Sequence, residues 1–403
     1  MHRFRAPRSA LAAIAAAATL GCASPRTSGR IELTQSVPAE SNLAMLGYRA
    51  TGDAWLDLAQ GARERLDLAF FYGSDEAPST LTPVVDAVKG ACARGVRVRA
   101  VFERVFLAQY PEIPRALEAA GARVRIVDRA KTTGGIVHTK MLAADGARAW
   151  VGSANFDWRS LAHIHEVGVL VTSAPLAEAV HGLIDYDVTL ADDAVPPVIA
   201  NANARANAAA TPDLRWELLE AAHGPARVAF AASPEGWLPG GIPWDFPHLR
   251  ALVRGAEREL TVEFLSYGVR MRDGRDWHDL DDALREAVRR GVHVTLVVSS
   301  WAERGKHRAD LVALAAAGVE VRVVTIPEAK AGPIPFARVI HGKVVVADGA
   351  RCWVGTSNGE GDYFLKSRNA GFFLESSALC TQLQTTVRAL GPAAPIAREP
   401  PPR

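Results

Sequence analysis

Residues 138–145 read HTKMLAAD and residues 341–348 read HGKVVVAD, so one histidine, one lysine and one aspartate recur at the same spacing in each half of a 403-residue chain. Six residues intervene between each aspartate and the GSAN (152–155) or GTSN (355–358) that follows, and the full pattern H-x-K-x4-D-x6-G-[ST]-x-N therefore occurs twice. A single HxK is most often a solvated surface strand. Two complete copies in matching contexts require a fold of two similar halves that can bring equivalent positions to one place.

The flanking segments repeat as well. In the first half RLDLAFFYG (65–73) reads as a strand, TPVVDAVKGACARG (82–95) as an amphipathic helix ending at Gly95, and VRVRAVFE (96–103) as a strand. EIPRALEAAGARVRIVD (112–128) then repeats helix, glycine and strand before His138. The second half runs the same programme through ELTVEFLSYG (259–268), DLDDALREAVRRG (279–291), VHVTLVVSS (292–300), ADLVALAAAG (309–318) and VEVRVVTI (319–326) before His341. The order strand, helix, strand, helix, strand predicts an α/β fold in which each half carries a mixed, mostly parallel sheet with helices on its faces. The expected divisions are an N-terminal lead at 22–43, a first half at 44–190, a linker at 191–213 rich in Ala, Asn and Pro, a second half at 214–392, and a Pro-rich tail at 393–403.

The first 21 residues have the parts of an export signal: Arg3, Arg5 and Arg8, an apolar stretch from about Ala10 to Leu20, then small residues. TLGC, ending at Cys22, resembles a bacterial lipobox, apart from Thr19 where Leu is usual. The expectation is an exported lipoprotein of the bacterial envelope, anchored through Cys22. Ala23 in place of an aspartate tilts the expectation towards the outer membrane. Residues 1–21 hold three of the 46 basic residues and none of the 44 acidic ones, leaving 43 against 44. A nearly neutral body gives no global electrostatic argument for nucleic acid, although a local basic groove remains compatible with it. Cys92, Cys352 and Cys380 have no metal-site spacing and are expected as buried free thiols, with one disulfide open as the alternative.

In each motif the histidine and lysine are two apart on a strand-like stretch and share a face, so His138 with Lys140, and His341 with Lys343, can serve one site. Asp145 and Asp348 are an odd number of residues further on and are expected to support neighbouring backbone rather than to act directly.

The repeated pattern is that of the phospholipase D superfamily, which the chain resembles over nearly all of residues 44–390. GSANFDWRSLAHIHEVGVLV (152–171) is similar to cardiolipin synthases and to animal endolysosomal phospholipase D-like proteins. IPFARVIHGKVVV (334–346) and GTSNGEGDYF (355–364) resemble that animal branch and its poxvirus relatives, and GWLPGGIPWDFPHLRALV (236–253) agrees more weakly. The resemblance implies two halves meeting at one cleft, so that a monomer suffices. It also implies attack by one histidine on a phosphodiester to give a phosphohistidine, with the other histidine protonating the leaving oxygen. Lys140, Lys343, Asn155 and Asn358 would stabilise phosphoryl charge, so the chemistry requires no metal or other cofactor. In the family an acidic residue of the opposite half orients each histidine. Glu166 stands 28 residues after His138 and would orient His341, but the equivalent position after His341 is Asn369. This departure suggests His138 as nucleophile beside a neutral partner and His341 as acid beside a carboxylate.

Further candidates are weaker. Ser153, Thr356, Asn369 and Arg338 are expected near substrate, and Lys366 and Arg368 either bind a second phosphate or are solvated charges. His163 and His165 beside Glu166 read as one inward and one outward side chain rather than a metal cluster. Trp158, Tyr363 and Phe364 either line the cleft or pack. The leading substrate expectation is a phospholipid, hydrolysed or transferred at the envelope. The alternative is nuclease action on single-stranded nucleic acid, and a non-catalytic envelope binding protein is a remote third. An apolar rim around the cleft would favour lipid, and a continuous basic groove would favour nucleic acid.

Overall fold

The structure, a computed structural model, describes residues 27–190, 212–304, 307–391 and 393–396. The export signal, Cys22, nearly all of the 191–213 linker and residues 397–403 of the tail lie outside the described residues. Among the described residues no helix is long and apolar enough to cross a membrane.

The first half is built on β1 (Arg30–Ser36), β2 (Arg65–Phe70), β3 (Arg97–Glu103), β4 (Arg123–Val127), β5 (Lys140–Ala144), β6 (Arg148–Gly152) and β7 (Glu166–Thr172). The alternation of strand and helix yields the parallel part, β2 with β3 and β3 with β4. Past β2 the pairing is antiparallel, through β5, β6 and β7 to β1. The second half repeats this with β8 (Glu217–Ala221), β9 (Gly224–Ser233), β10 (Glu259–Phe264), β11 (His293–Ser299), β12 (Glu320–Val324), β13 (Val344–Ala347), β14 (Arg351–Gly355) and β15 (Asn369–Glu375). There β10, β11 and β12 are parallel, and β13, β14, β15 and β9 extend the sheet antiparallel. The sheets touch edge to edge at the bridge between Arg30 and Glu220. Strand β1 falls inside what the sequence suggested was a polar lead. Its alternation of Ile31, Leu33 and Gln35 with polar residues is that of a strand, and all seven of its residues pair with β7.

Among the described residues three large apolar cores, with a small fourth around Val339, hold this arrangement. A central one joins Val167, Val169 and Leu183 of the first half to Val344, Phe372 and Leu383 of the second, so the halves share a hydrophobic interior. An outer core in each half centres on Trp150 and Trp353. Both indoles lie across the glycine that opens the GSAN or GTSN segment. A Cβ on Gly152 would come within 2.6 Å of Trp150, and one on Gly355 would lie closer still to Trp353. The motif glycine is thus required by packing.

Cys352 and Cys380 are joined in a disulfide, which overturns the expectation of free thiols for this pair. Cys352 on β14 faces the helix Ser377–Ala389 that covers the sheet, and their Cα atoms are 5.6 Å apart, within disulfide reach. Cys92 is unpaired.

Candidate active site

Two cross-half stitches assemble the site. The His138 amide donates to the Arg368 carbonyl at 2.8 Å, and the Arg368 amide to the Ile136 carbonyl at 2.8 Å. On the other side the His341 amide donates to the His165 carbonyl at 2.8 Å, and the His165 amide to the Val339 carbonyl at 3.0 Å. Each motif histidine is therefore pinned to the residue that precedes Asn369 or Glu166 in the opposite half. The two motifs face one another, with His138 4% and His341 7% exposed.

The side chains obey the same crossing but not the same chemistry. His341 Nδ1 lies 2.9 and 3.0 Å from the two Glu166 oxygens, whereas His138 Nδ1 lies 3.1 Å from Asn369 Oδ1. Asn369 is oriented by its neighbours: Thr356 Oγ1 donates to Oδ1 at 2.8 Å, and Nδ2 donates to the Tyr363 carbonyl at 2.7 Å. Oδ1 can only accept, so His138 carries its proton on Nδ1 and leaves Nε2 with a lone pair. Burial, aided by the charges of Lys140, Lys343 and His341, holds His138 well below the usual histidine range. Burial also lowers His341, but Glu166 opposes it and the displacement is smaller. Burial raises Glu166, yet His341 and Lys343 outweigh it and keep the carboxyl below its usual value.

Both lysines are fully buried, and each donates from Nζ to the carbonyl of its own motif histidine, for Lys140 at 2.7 Å. Burial pushes Lys343 down to about 7, and burial with repulsion from Lys343 drives Lys140 well below its ordinary value. Asn155 and Asn358 are buried, and their Oδ1 atoms have no partner among the described residues. The site is thus a pocket of strained positive charge that an anion would relieve.

The remaining predicted residues fall into four groups. Asp145 and Asp348 lie in turns at the far ends of β5 and β13, with φ of 55° and 56°. Asp145 accepts from the amides of Arg63, Glu64 and Arg65, and Asp348 from those of Glu257, Arg258 and Glu259, at 2.8 to 3.1 Å. Ser153 is buried with its hydroxyl bound to the Val167 backbone, and Thr356 bonds Asn369 and the Ala370 amide, so both brace an orienting residue. Arg338 does not face the site: its guanidinium donates to the carbonyls of Pro327 (2.6 Å) and Ala39 (2.7 Å). Arg368 is neither solvated nor available to phosphate, being fully buried against Asp187 at 3.0 Å and bonded to the Ser233 carbonyl. Lys366 pairs with Asp273 and Asp362. Tyr363 meets His138 edge-on at 4.8 Å, while Phe364 packs on Trp277 and Trp158 on His163.

Several site residues were missed. Glu263, buried in β10, bonds the Gly342 amide at 3.0 Å and His165 Nδ1 at 3.2 Å, and Gln35 closes on His165 Nε2 at 3.3 Å. Glu103 accepts from the Val137 amide at 2.6 Å. A carboxylate inside the apolar run LTVEFL was the available signal. Phe71 contacts His138 at 5.1 Å and begins an aromatic run through Phe106, Tyr72 and Tyr110, all half-buried. Beyond them Val105 (62% exposed) and Trp301 (38%) follow the C-terminal ends of the equivalent strands β3 and β11, and Trp301 meets Phe336 (64%).

The family model described as "Cardiolipin synthase, PLD-like domain" matches residues 56–188 and again 260–390. The chain is 30% identical over 363 residues to the 5'-3' exonuclease PLD3 of Homo sapiens, an alignment that takes in 83% of this chain and 73% of that protein. It is 30% identical over 367 residues to the 5'-3' exonuclease PLD4 of Mus musculus (85% of this chain, 72% of that protein). It is 28% identical over 382 residues to phospholipase D Z of Dictyostelium discoideum (89% and 88%). Among solved structures, phosphatidylserine synthase of Haemophilus influenzae has the same fold, with a TM-score of 0.59 at 13% identity over 85% of each chain.

Proposed function

The chain belongs to the phospholipase D superfamily, in the branch of the animal PLD3 and PLD4 proteins, and from that premise we propose that it cleaves the end of single-stranded nucleic acid through a phosphohistidine. His138 Nε2, with its lone pair free, attacks phosphorus. The phosphorus–oxygen bond breaks, and His341 Nε2–H protonates the leaving oxygen. His341 then takes a proton from water, the water oxygen attacks phosphorus, and the phosphorus–nitrogen bond breaks to restore His138. Lys140, Lys343, Asn155 and Asn358 stabilise the charge on the phosphoryl oxygens.

The observation that carries the mechanism is the unequal pairing, a neutral carboxamide behind His138 and a carboxylate behind His341. The half-buried aromatic run leading away from His138 supports the substrate, because unpaired bases stack on aromatic rings. So enclosed a pair of histidines suits a strand end better than a strand laid across the site.

A phospholipid substrate is the second reading, favoured by the exposed apolar groups Val105, Trp301 and Phe336. The Cys352–Cys380 disulfide supports export to an oxidising compartment.

The test incubates purified protein with EDTA and either end-labelled single-stranded DNA or phosphatidylglycerol vesicles, beside His138→Ala and His341→Ala proteins. Stepwise DNA shortening lost in both variants is expected. Lipid turnover with intact DNA would transfer the assignment to phospholipid.

A further inference from the structure

A cluster of four arginines lies at the opposite end of the first half from the histidines. Strands β2, β3 and β4 begin with arginines that share one face: Arg65 pairs in register with Arg97, and Arg99 with Arg123. With the helix Ala174–Thr189 they line a cavity of about 400 Å³. The catalytic cleft lies beyond the other ends of these strands, roughly 20 Å away along β3.

Part of this charge is internally balanced. Asp67 accepts from Arg99 Nε at 2.8 Å and Nη2 at 2.6 Å and also pairs with His181 Nδ1 at 2.6 Å. The Gly146 amide donates to His181 Nε2, which fixes Nδ1–H towards Asp67. Asp185 takes the remaining arm of Arg99, and Glu178 takes Arg65. The guanidinium groups of Arg97 and Arg123 have no hydrogen-bond or ion-pair partner among the described residues. Gly182 leaves the helix side of the cavity open, with nothing within 4 Å of where a Cβ would stand.

The duplication supplies an internal control. At the positions equivalent to Arg65, Arg97, Arg99 and Arg123 the second half has Glu259, His293, Thr295 and Glu320, in the same register. That surface is closed by its own pairs: Gln384 to Thr261 at 3.2 Å, Arg388 to Glu259 at 2.6 Å and His293 to Glu320 at 3.5 Å. The fold therefore does not demand arginines at these strand starts. In-register like charges cost stability, and here two of the four are left without a counter-ion from the chain.

We propose that this cavity binds a small phosphate-bearing anion, held by Arg97 and Arg123 over the Arg65–Arg99 floor. Planar guanidinium forks match phosphate oxygens in pairs, and the two unengaged ones, Arg97 and Arg123, beside this open cavity suit a pyrophosphate or a terminal phosphate monoester.

The test is calorimetric titration of the full protein with inorganic pyrophosphate at about 0.15 M salt. Wild-type protein should bind two equivalents, one at the motif lysines and one here. Arg97→Ala/Arg123→Ala protein should bind one, with the lost site weakened about tenfold or more. Arg123→Glu, which copies Glu320 of the second half, should do the same. Both changes are at exposed positions and relieve like-charge repulsion, so melting without anion should be unaltered or raised. Identical titrations of wild-type and variant proteins, or a single equivalent in both, would overturn the proposal.

Discussion

Glu166 and Asn369 occupy equivalent positions 28 residues after their motif histidines, yet one is an anion and the other a neutral carboxamide. That one difference breaks the symmetry of an otherwise duplicated site and sets its pH dependence. His138 must be neutral to attack, a condition lost only as pH falls through its strongly lowered pKa. His341 must be protonated to act as acid, a condition lost as pH rises through its own pKa, which lies below the ordinary value of about 6.5. The kcat/KM profile should therefore peak on the acid side of 6.5. Glu166→Gln removes the influence that opposes burial at His341. It should lower kcat by about 10²-fold and move the alkaline limb to lower pH, as a pH–rate series would show. Asn369→Asp places a carboxylate behind His138 and raises its pKa. The acid limb should move to higher pH while the alkaline limb stays.

At the scale of elements, the β5–β6 and β13–β14 hairpins are held to the neighbouring strand starts by the motif aspartates. Partial burial works against the Asp348 carboxylate, but three backbone amides outweigh it and lower its pKa. A depressed carboxyl pKa contributes stability that is present above the unfolded value of about 3.9 and lost as pH falls through the folded one. Asp348→Ala should cost about 2 to 3 kcal/mol at pH 7, measured by denaturant unfolding, with the difference shrinking in acid. The variant should retain its pH–rate profile per folded molecule. A changed profile would show that the aspartate reaches the chemistry.

Across the whole molecule, catalytic geometry depends on the halves remaining docked. Asp187 of the first half is buried between Arg129 and Arg368, and Arg368 extends to carbonyls of the second half. Removing Asp187 from this set leaves two buried guanidinium charges uncompensated. Asp187→Asn should destabilise the protein by roughly 3 to 5 kcal/mol, and thermal unfolding should show that loss. Activity should fall with the folded fraction, because the His138 amide is held by the Arg368 backbone and not by its side chain.

The family resemblance supplied the unequal partners Glu166 and Asn369, and the duplicated H-x-K-x4-D-x6-G-[ST]-x-N pattern, read alone, established two similar α/β halves and the pairs His138–Lys140 and His341–Lys343. Those are properties of order and spacing along one strand, where period-2 geometry links residues that are close in sequence. Tertiary structure decided what depends on distant segments meeting. It buried Arg368 against Asp187, tied Arg338 to backbone carbonyls, joined Cys352 to Cys380 and placed Glu263 behind Lys343. It also made β1 a full neighbour of the strand that carries Glu166. A charged residue in sequence can be solvated, paired or catalytic. Only the environment that packing builds around it selects among these, because the cost of burying charge depends on its partners and not on its place in the chain.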